Sequence, residues 1–142
     1  MSPAAIASNQ SYFEDVELGV LLESPGITLT EAHAALFRGV VGEDAGVEPG
    51  QVPVLLPLCL SSGLGWRISR PPLAVLAFMG LEWRSLEPIH VGDTIRSISV
   101  TQTKRSMREG GVVIEERRIV NQRDETVQLV KLTLLVAKRS KA

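Results

Sequence analysis

Residues Gly80 to Arg105, GLEWRSLEPIHVGDTIRSISVTQTKR, are the most informative part of this sequence about its fold. An apolar strand ends at Trp83-Arg84, Pro88 interrupts the chain, and a Gly92-Asp93 turn starts a strand of alternating polarity. This pattern is typical of a sheet that resumes after a loop at its rim. Three consecutive strands joined by polar hairpin loops are therefore expected in the C-terminal half: Thr94 to Lys104, Val112 to Val120 and Val127 to Lys138.

The N-terminal half predicts short extended segments followed by a helix. Val20 to Glu23 and Ile27 to Leu29 have the composition of short strands on either side of a Pro-Gly turn. Thr30 suits the N-cap position, because its hydroxyl accepts a hydrogen bond from an amide of the first helical turn. Apolar residues then recur at helical spacing as far as Gly42, where the helix is expected to end.

Two long apolar runs occupy the middle of the chain. Val54 to Ile68 is continuously apolar and too long for an ordinary strand, which predicts a buried central helix with Pro57 in its first turn. Leu73 to Arg84 predicts a long strand covered on both faces, because it is apolar along nearly its whole length. The order of elements indicates an α+β domain in which an antiparallel sheet wraps around one central apolar helix.

Length and composition limit the class of protein. The chain has 142 residues, which suits one domain, with residues 1–11 as a flexible N-terminus and 12–142 as the domain itself. Fifteen basic and sixteen acidic residues leave a net charge of −1, so neither nucleic acid nor a membrane is an expected partner. The single cysteine, Cys59, lies in an apolar run, which predicts an inert core thiol in a reducing, cytoplasmic compartment. No signal-peptide pattern opens the sequence, and its apolar runs are shorter than the ~20 residues that span a bilayer.

Several local strings resemble the MaoC-like acyl dehydratase family, which includes (R)-specific enoyl-coenzyme A hydratases. The similarity runs from Tyr12 to Arg139 and is carried by Tyr12-Phe13-Glu14-Asp15 with Leu18-Gly19, Ile27 to Ala32 with Phe37, Leu86 to Asp93, and Val120-Asn121-Gln122. The resemblance implies a hotdog fold. It also implies hydration of trans-2-enoyl thioesters, or dehydration of 3-hydroxyacyl thioesters, carried on coenzyme A or an acyl carrier protein. Family members work as dimers, with two sheets side by side and the acyl tunnel at the interface.

The family places its catalytic Asp and His in a loop that reads G-D-x-N-P-x-H, followed by a G-x-x-x-H-G stretch that opens the central helix. In this chain the loop Gly42 to Pro49 supplies Glu43 or Asp44 as the acid, but Glu48 or Pro49 stands where the His is expected. The second stretch, Gly50 to Leu55, also has no histidine. The catalytic motif is therefore degenerate, and the resemblance implies an altered acid–base site.

Candidate site residues follow from this comparison. Asp44 or Glu43, together with Glu48, could form a carboxylate pair that supplies one acid and one base; an exposed acidic loop is the alternative. Val54, Leu55 and Cys59, near the apolar start of the central helix, are expected to line the substrate tunnel. His90, in the rim loop, is expected to lie near the pantetheine or phosphate of the carrier. The other histidine, His33, is expected to be an ordinary helical residue. No phosphate loop or metal-ligand spacing occurs, so no cofactor is expected.

Three functions remain open at this point. The first is a hydratase, dehydratase, or related isomerase or cyclase acting on an acyl thioester or a polyketide-like substrate, with the carboxylates in the role of the lost histidine. The second is a non-catalytic subunit that pairs with an active MaoC-like partner. The first function is compatible with a homodimer, and the second requires a heterodimer. The third, a hotdog thioesterase, requires a carboxylate at the start of the central helix, where this chain has Gln51.

Overall fold

A computed structural model describes residues 9–42, 48–64 and 67–140 of the chain. Within these residues, a one-turn 3-10 helix (Phe13–Asp15) precedes six strands and two α helices: β1 (Leu21–Glu23), β2 (Ile27–Thr28), α1 (Glu31–Val41), α2 (Leu56–Leu64), β3 (Val75–Ser85), β4 (Thr94–Met107), β5 (Gly110–Val120) and β6 (Thr126–Val136). The α+β prediction and the three C-terminal strands are confirmed. None of the described helices is long and apolar enough to cross a membrane.

The strands form one antiparallel sheet in the order β1-β4-β5-β6-β3, and β2 also pairs with β4. The three consecutive strands β4, β5 and β6 make its centre, and β3 returns to the edge beside β6. The ladder between β4 and β5 changes register between Thr101 and Thr103. Such a bulge increases the local twist and helps a long strand to curve.

One face of the sheet carries the core. Residues paired across a ladder share a face, so Glu115 lies beside Leu132, and Arg117 lies beside Val130, on the same side of the sheet. Buried apolar residues of β5 and β6 occupy this face, where they cluster with Leu56 of α2. The cluster comprises Phe13, Val16, Leu29, Val52, Leu56, Ile89, Ile95, Val113, Ile119, Val127, Val130, Leu132, Leu134 and Val136. Each such side chain contributes about 1.5–3 kcal/mol when its apolar surface leaves water.

Phe13 fixes the N-terminal segment to the sheet. Its ring lies against Gly111, where an added Cβ would come within 2.1 Å of the ring, so a larger residue at this position would displace it. The ammonium group of Lys104 lies 4.5 Å from the ring centroid and donates hydrogen bonds to the carbonyls of Phe13 and Val16. Ser11, the last residue of the segment expected to be flexible, is buried and donates from its Oγ to the carbonyl of Pro71.

Helix α1 has the predicted N-cap. The hydroxyl of Thr30 accepts from the His33 amide at 3.3 Å, and Nδ1 of His33 accepts from the Thr30 amide at 3.0 Å. This reciprocal capping gives His33 a structural role. The helix ends at Gly42, whose φ of 90° lies in a region that glycine adopts without strain.

Two predictions about the middle of the chain need correction. Helix α2 is shorter than Val54 to Ile68. Strand β3 is not covered on both faces: it lies at an edge of the sheet, and little of the described chain packs above or below it. Its large apolar residues are therefore exposed in the single chain: Val75, Leu76, Phe78, Met79 and Leu81. An apolar run predicts that a strand is covered, but not that its own domain covers it.

Candidate functional site

The acidic loop leads into a tight turn just before α2. Glu43 and Asp44, two of the three predicted catalytic carboxylates, lie outside the described residues. Glu48 is exposed, and its carbonyl accepts from the Gln51 amide at 3.0 Å. Pro49 and Gly50, whose φ is 84°, occupy the central positions of this turn, which is the pattern of a type II turn.

The rim loop between β3 and β4 is joined to the segment that precedes α2. Gln51 and His90 form an antiparallel bridge between the two segments. The amide of Val52 donates to the Ile89 carbonyl and the amide of Val91 donates to the Gly50 carbonyl, both at 2.8 Å. The pairing brings the main chains of Glu48 to Gln51 and of His90 onto one rim at the start of α2.

Asp93 organises the turn that follows His90. Its Oδ2 accepts from the His90 amide at 2.9 Å, and its Oδ1 accepts from Nε2 of Gln122 at 2.9 Å. Burial acts to raise the pKa of Asp93, but these two hydrogen bonds and the nearby His90 and Arg123 outweigh burial and lower the pKa. The motif residues Asp93 and Gln122 therefore support each other structurally, while the side chain of His90 stays 53% exposed.

A buried glutamine forms the floor beneath the start of α2. Gln128 of β6 is 1% exposed. Its Nε2 donates to the Val54 carbonyl at 2.9 Å, and its Oε1 accepts from Nε1 of Trp83 at 3.2 Å. A cavity of about 240 Å³ opens above it, lined by Gln51, Val52, Val54, Pro57, residues 85–89 and Gln128.

The apolar residues predicted to line the substrate tunnel differ in their exposure and in their distance from the cavity. Val54 lines this cavity, whereas Leu55 is half exposed and lies outside its lining. Cys59 is exposed, so the prediction of a core thiol is wrong. The reason is helical geometry: Cys59 and Ser62 lie on an exposed side of α2, in line with Leu55 just before the helix, whereas Leu56 and Leu64 are buried. The continuous apolar run conceals which side of the helix faces the sheet.

The most deeply placed charges of the described chain were not identified from the sequence. Glu115, 3% exposed, accepts a hydrogen bond at 3.1 Å from Nη2 of Arg117. Nη1 of Arg117 donates to the main-chain carbonyl of Ser61 in α2, also at 3.1 Å. The signal lay in the alternation of β5, where Val113, Glu115, Arg117 and Ile119 share one face.

Two other observations concern what the surface could bind. A larger cleft, of about 330 Å³, lies between the N-terminal segment, β1 and Ser69-Arg70-Pro71, but none of the predicted site residues lines it. Across residues 9–42, 48–64 and 67–140, no group of three or more His, Cys, Asp or Glu side chains is placed to hold a metal ion. At the start of α2 one predicted residue, Val54, lines a cavity, and Glu48 and His90 lie on the rim beside it without entering its lining.

Comparison with known proteins identifies the fold. The sequence matches no family model and no curated protein. Among solved structures, it is similar to a monoamine oxidase regulatory protein from Archaeoglobus fulgidus, with 26% identity, a TM-score of 0.78, and coverage of 93% of this chain and 97% of that one. It is similar to a MaoC domain protein from Chloroflexus aurantiacus, described as a dehydratase, with 26% identity and a TM-score of 0.80 over 92% of this chain and 41% of that one.

A third match bears on the fold alone. A protein from Mycobacterium tuberculosis with a double hotdog fold is 17% identical, with a TM-score of 0.74 over 95% of this chain and 46% of that one. This chain thus spans less than half of the Chloroflexus and Mycobacterium proteins. The resemblance seen in the sequence is confirmed in the structure: the chain has the hotdog fold of MaoC-like dehydratases and (R)-hydratases.

Proposed function

We propose that the chain is a hydratase- or dehydratase-class protein that acts on an acyl thioester at the start of α2. The observation that carries the proposal is the rim itself. Glu48 and the main chain of His90 flank Gln51 there, beside a cavity of about 240 Å³ at the beginning of a helix. The likeness to a MaoC domain protein described as a dehydratase supports the same reaction class.

The start of α2 suits the thioester carbonyl. The amino end of a helix carries partial positive charge, which stabilises the negative charge that develops on a carbonyl oxygen. In α2 this charge acts without the first two amides, because the Leu56 amide donates to the Pro53 carbonyl and Pro57 has no N–H. In hydration, the hydroxyl of water adds to C3 of the enoyl thioester and a proton is added to C2. Dehydration is the reverse. Proton removal at C4 and proton return at C2 moves the double bond, which is the related isomerase chemistry. Proton removal at C2, attack of C2 on a carbonyl carbon of the same chain and protonation of that carbonyl oxygen is the related cyclase chemistry.

Carboxylates supply the proton transfers in this proposal. Asp44 or Glu43 acts as the base, and Glu48, at or directly beside the position where the family has its histidine, acts as the acid. A positioned acid or base contributes about 10²–10⁴-fold to such a reaction. His90, on the same rim and half exposed, contacts the pantetheine or phosphate of a coenzyme A or acyl carrier protein substrate.

The oligomer that we propose forms through β3. This edge strand has 11 residues and exposes five large apolar side chains, between Val75 and Leu81. An exposed edge with these properties pairs readily with another strand. A second copy placed there sets two sheets side by side and adds a wall to the cavity at the start of α2. The single cysteine and the near-neutral charge suit a cytoplasmic dimer.

One pair of observations favours a second candidate, a non-catalytic subunit. Residues 48–55 contain no histidine, and the apolar edge of β3 is available to a partner as well as to a second copy. A heterodimer would then take its Asp and His from the MaoC-like partner, while this chain shapes the tunnel.

Purified protein distinguishes the two candidates. The rate of hydration of crotonyl- and longer enoyl-coenzyme A is measured on the chain alone, with its native mass determined in parallel. Hydration by a homodimer supports the enzyme. A chain that is inactive alone, and that raises the turnover of a MaoC-like partner on forming a heterodimer with it, supports the subunit and rules out the carboxylate site.

A further inference from the structure

A charged cluster lies on the core face of the central strand, away from the rim described above. Glu115 and Arg117 are neighbours on β5 and pair at 3.1 Å, with side chains 4% and 13% exposed. Arg117 also donates to the carbonyl of Ser61, so the pair lies beneath the second half of α2. The cluster is thus built into the contact between sheet and helix.

A second arginine faces the same pair. Arg70, in the loop that follows α2, is partly buried and lies close enough for its charge to interact with those of Glu115 and Arg117. Burial lowers the pKa of Arg70, the positive charge of Arg117 lowers it further, and Glu115 opposes both effects. Among the described residues, Arg70 forms no ion pair, and Nε of Arg70 and Nε of Arg117 are buried nitrogens without a hydrogen-bond partner.

The charges of this cluster do not balance. In the lining of a cleft of about 140 Å³, two guanidinium groups face one carboxylate; Arg70 also borders the larger cleft, whose lining includes Asp15 and Glu17. The lining combines the charged groups with apolar side chains, among them Ile68, Leu73 and Leu134. The Arg70 charge loses hydration in these surroundings, so a matching anion stabilises the site.

We propose that this cleft, which we call the anion cleft, binds a carboxylate group of a small ligand. A planar carboxylate accepts two parallel hydrogen bonds from the edge of a guanidinium group, and the guanidinium-bearing residue Arg70, which has no ion pair among the described residues, lines this cleft. The volume is that of about four or five water molecules, which fits a carboxylate with a few carbons but excludes coenzyme A.

The carboxylate has two possible sources, a free small acid or the far end of the acyl chain. The second source rests on the function proposed above. Pro57 lines the cavity at the start of α2 and Ser62 lines the anion cleft, five residues further along. This separation is about 7.5 Å along the helix axis, a distance that a short acyl chain spans.

Calorimetric titration with glutarate tests the cleft without any thioester. Glutarate should bind the native protein, and glutaramide, its uncharged analogue, should not. Arg70→Gln should weaken glutarate binding by about tenfold to a hundredfold, because one charge-assisted pair is lost, while Arg70→Lys should retain part of it. Arg67→Gln, an exposed arginine of the same loop, is the matched control and should bind like the native chain. Equal binding of glutarate by native protein and Arg70→Gln, or no binding by the native protein, overturns the proposal.

A comparison of two thioesters of equal acyl-chain length shows whether the bound carboxylate belongs to a free acid or to the far end of an acyl chain. Glutaryl-coenzyme A ends in a carboxylate and pentanoyl-coenzyme A ends in a methyl group. Tighter binding of glutaryl-coenzyme A, lost in Arg70→Gln without change for pentanoyl-coenzyme A, assigns the carboxylate to the acyl chain. Binding of glutarate with no preference between the thioesters assigns it to a free acid.

The remaining outcomes separate this proposal from the proposed function. If both thioesters bind equally and glutarate does not bind, the anion cleft is refuted and the thioester function survives. If glutarate binds and neither thioester does, the thioester function fails and the anion cleft survives.

Discussion

Gln51 and His90 face each other in an antiparallel bridge that joins the rim loop to the segment before α2. The neighbouring hydrogen bonds, from Val52 to Ile89 and from Val91 to Gly50, are both 2.8 Å long. Because the bridge is made by main-chain atoms, the side chains at this rim can vary while its geometry stays the same. The main-chain geometry of this rim therefore does not depend on a histidine in the segment before α2.

The acidic loop is expected to tolerate substitution. Asp44→Asn and Glu48→Gln should leave the melting temperature and native mass unchanged, because the sequence around both residues is polar and rich in Gly, and because substitutions at an exposed polar position such as Glu48 change stability by no more than about 0.5 kcal/mol. Differential scanning calorimetry and light scattering measure both quantities. A large loss of melting temperature in either variant would mean that the carboxylate has a structural role.

Gln128 is expected to be a stability determinant of the site. Gln128→Leu leaves Nε1 of Trp83 and the Val54 carbonyl without their partner, which should lower the free energy of unfolding by about 1–3 kcal/mol. Urea denaturation measures the change. Gln102→Leu, at an exposed position of β4, is the control; equal stability of the two variants would refute the role of Gln128.

Stability in acid should depend on Asp93. Because its pKa is lowered in the folded state, the ionised carboxylate stabilises the fold at every pH above the ordinary pKa of an aspartate. The contribution disappears as the pH falls through the depressed folded-state value. Asp93→Asn should therefore melt below the native protein at neutral pH, and the difference should shrink as the solution is acidified. A difference that stays constant down to the lowest pH would contradict this linkage.

The edge of β3 should control the oligomer. Phe78→Lys places a charge in the middle of the exposed apolar strand, and we expect it to convert a native dimer into a monomer. Sedimentation velocity measures the masses. Leu36→Lys, at an exposed apolar position of α1, should leave the dimer intact. A dimer that persists in Phe78→Lys would move the interface elsewhere.

Local chemistry made much of the fold predictable. The Gly92-Asp93 turn and the alternation that follows indicated where β4 begins, and Thr30 indicated where α1 begins. These features depend on residues close together in sequence, so a pattern in one chain suffices. The covering of β3 and the exposure of Cys59 depend on what packs against each element, and a continuous apolar run does not encode that.

The site was less predictable for the same reason. Glu48 and His90 are far apart in sequence, and only the pairing of Gln51 with His90 brings their segments together. Glu115 and Arg117 were recognisable as charges in a strand, but their position beneath Ser61 depends on the path of α2. Sequence patterns identify candidate residues, and tertiary contacts decide which of them meet.

The rate of hydration of crotonyl-coenzyme A by the purified chain, beside the double variant Asp44→Asn with Glu48→Gln, tests the central claim most directly. We predict that the native chain catalyses hydration without a partner and that the double variant is slower by about 10²-fold or more, with an unchanged melting temperature. A native chain without activity on any enoyl thioester, or a double variant with full activity, would contradict the assignment of acyl-thioester chemistry to the start of α2.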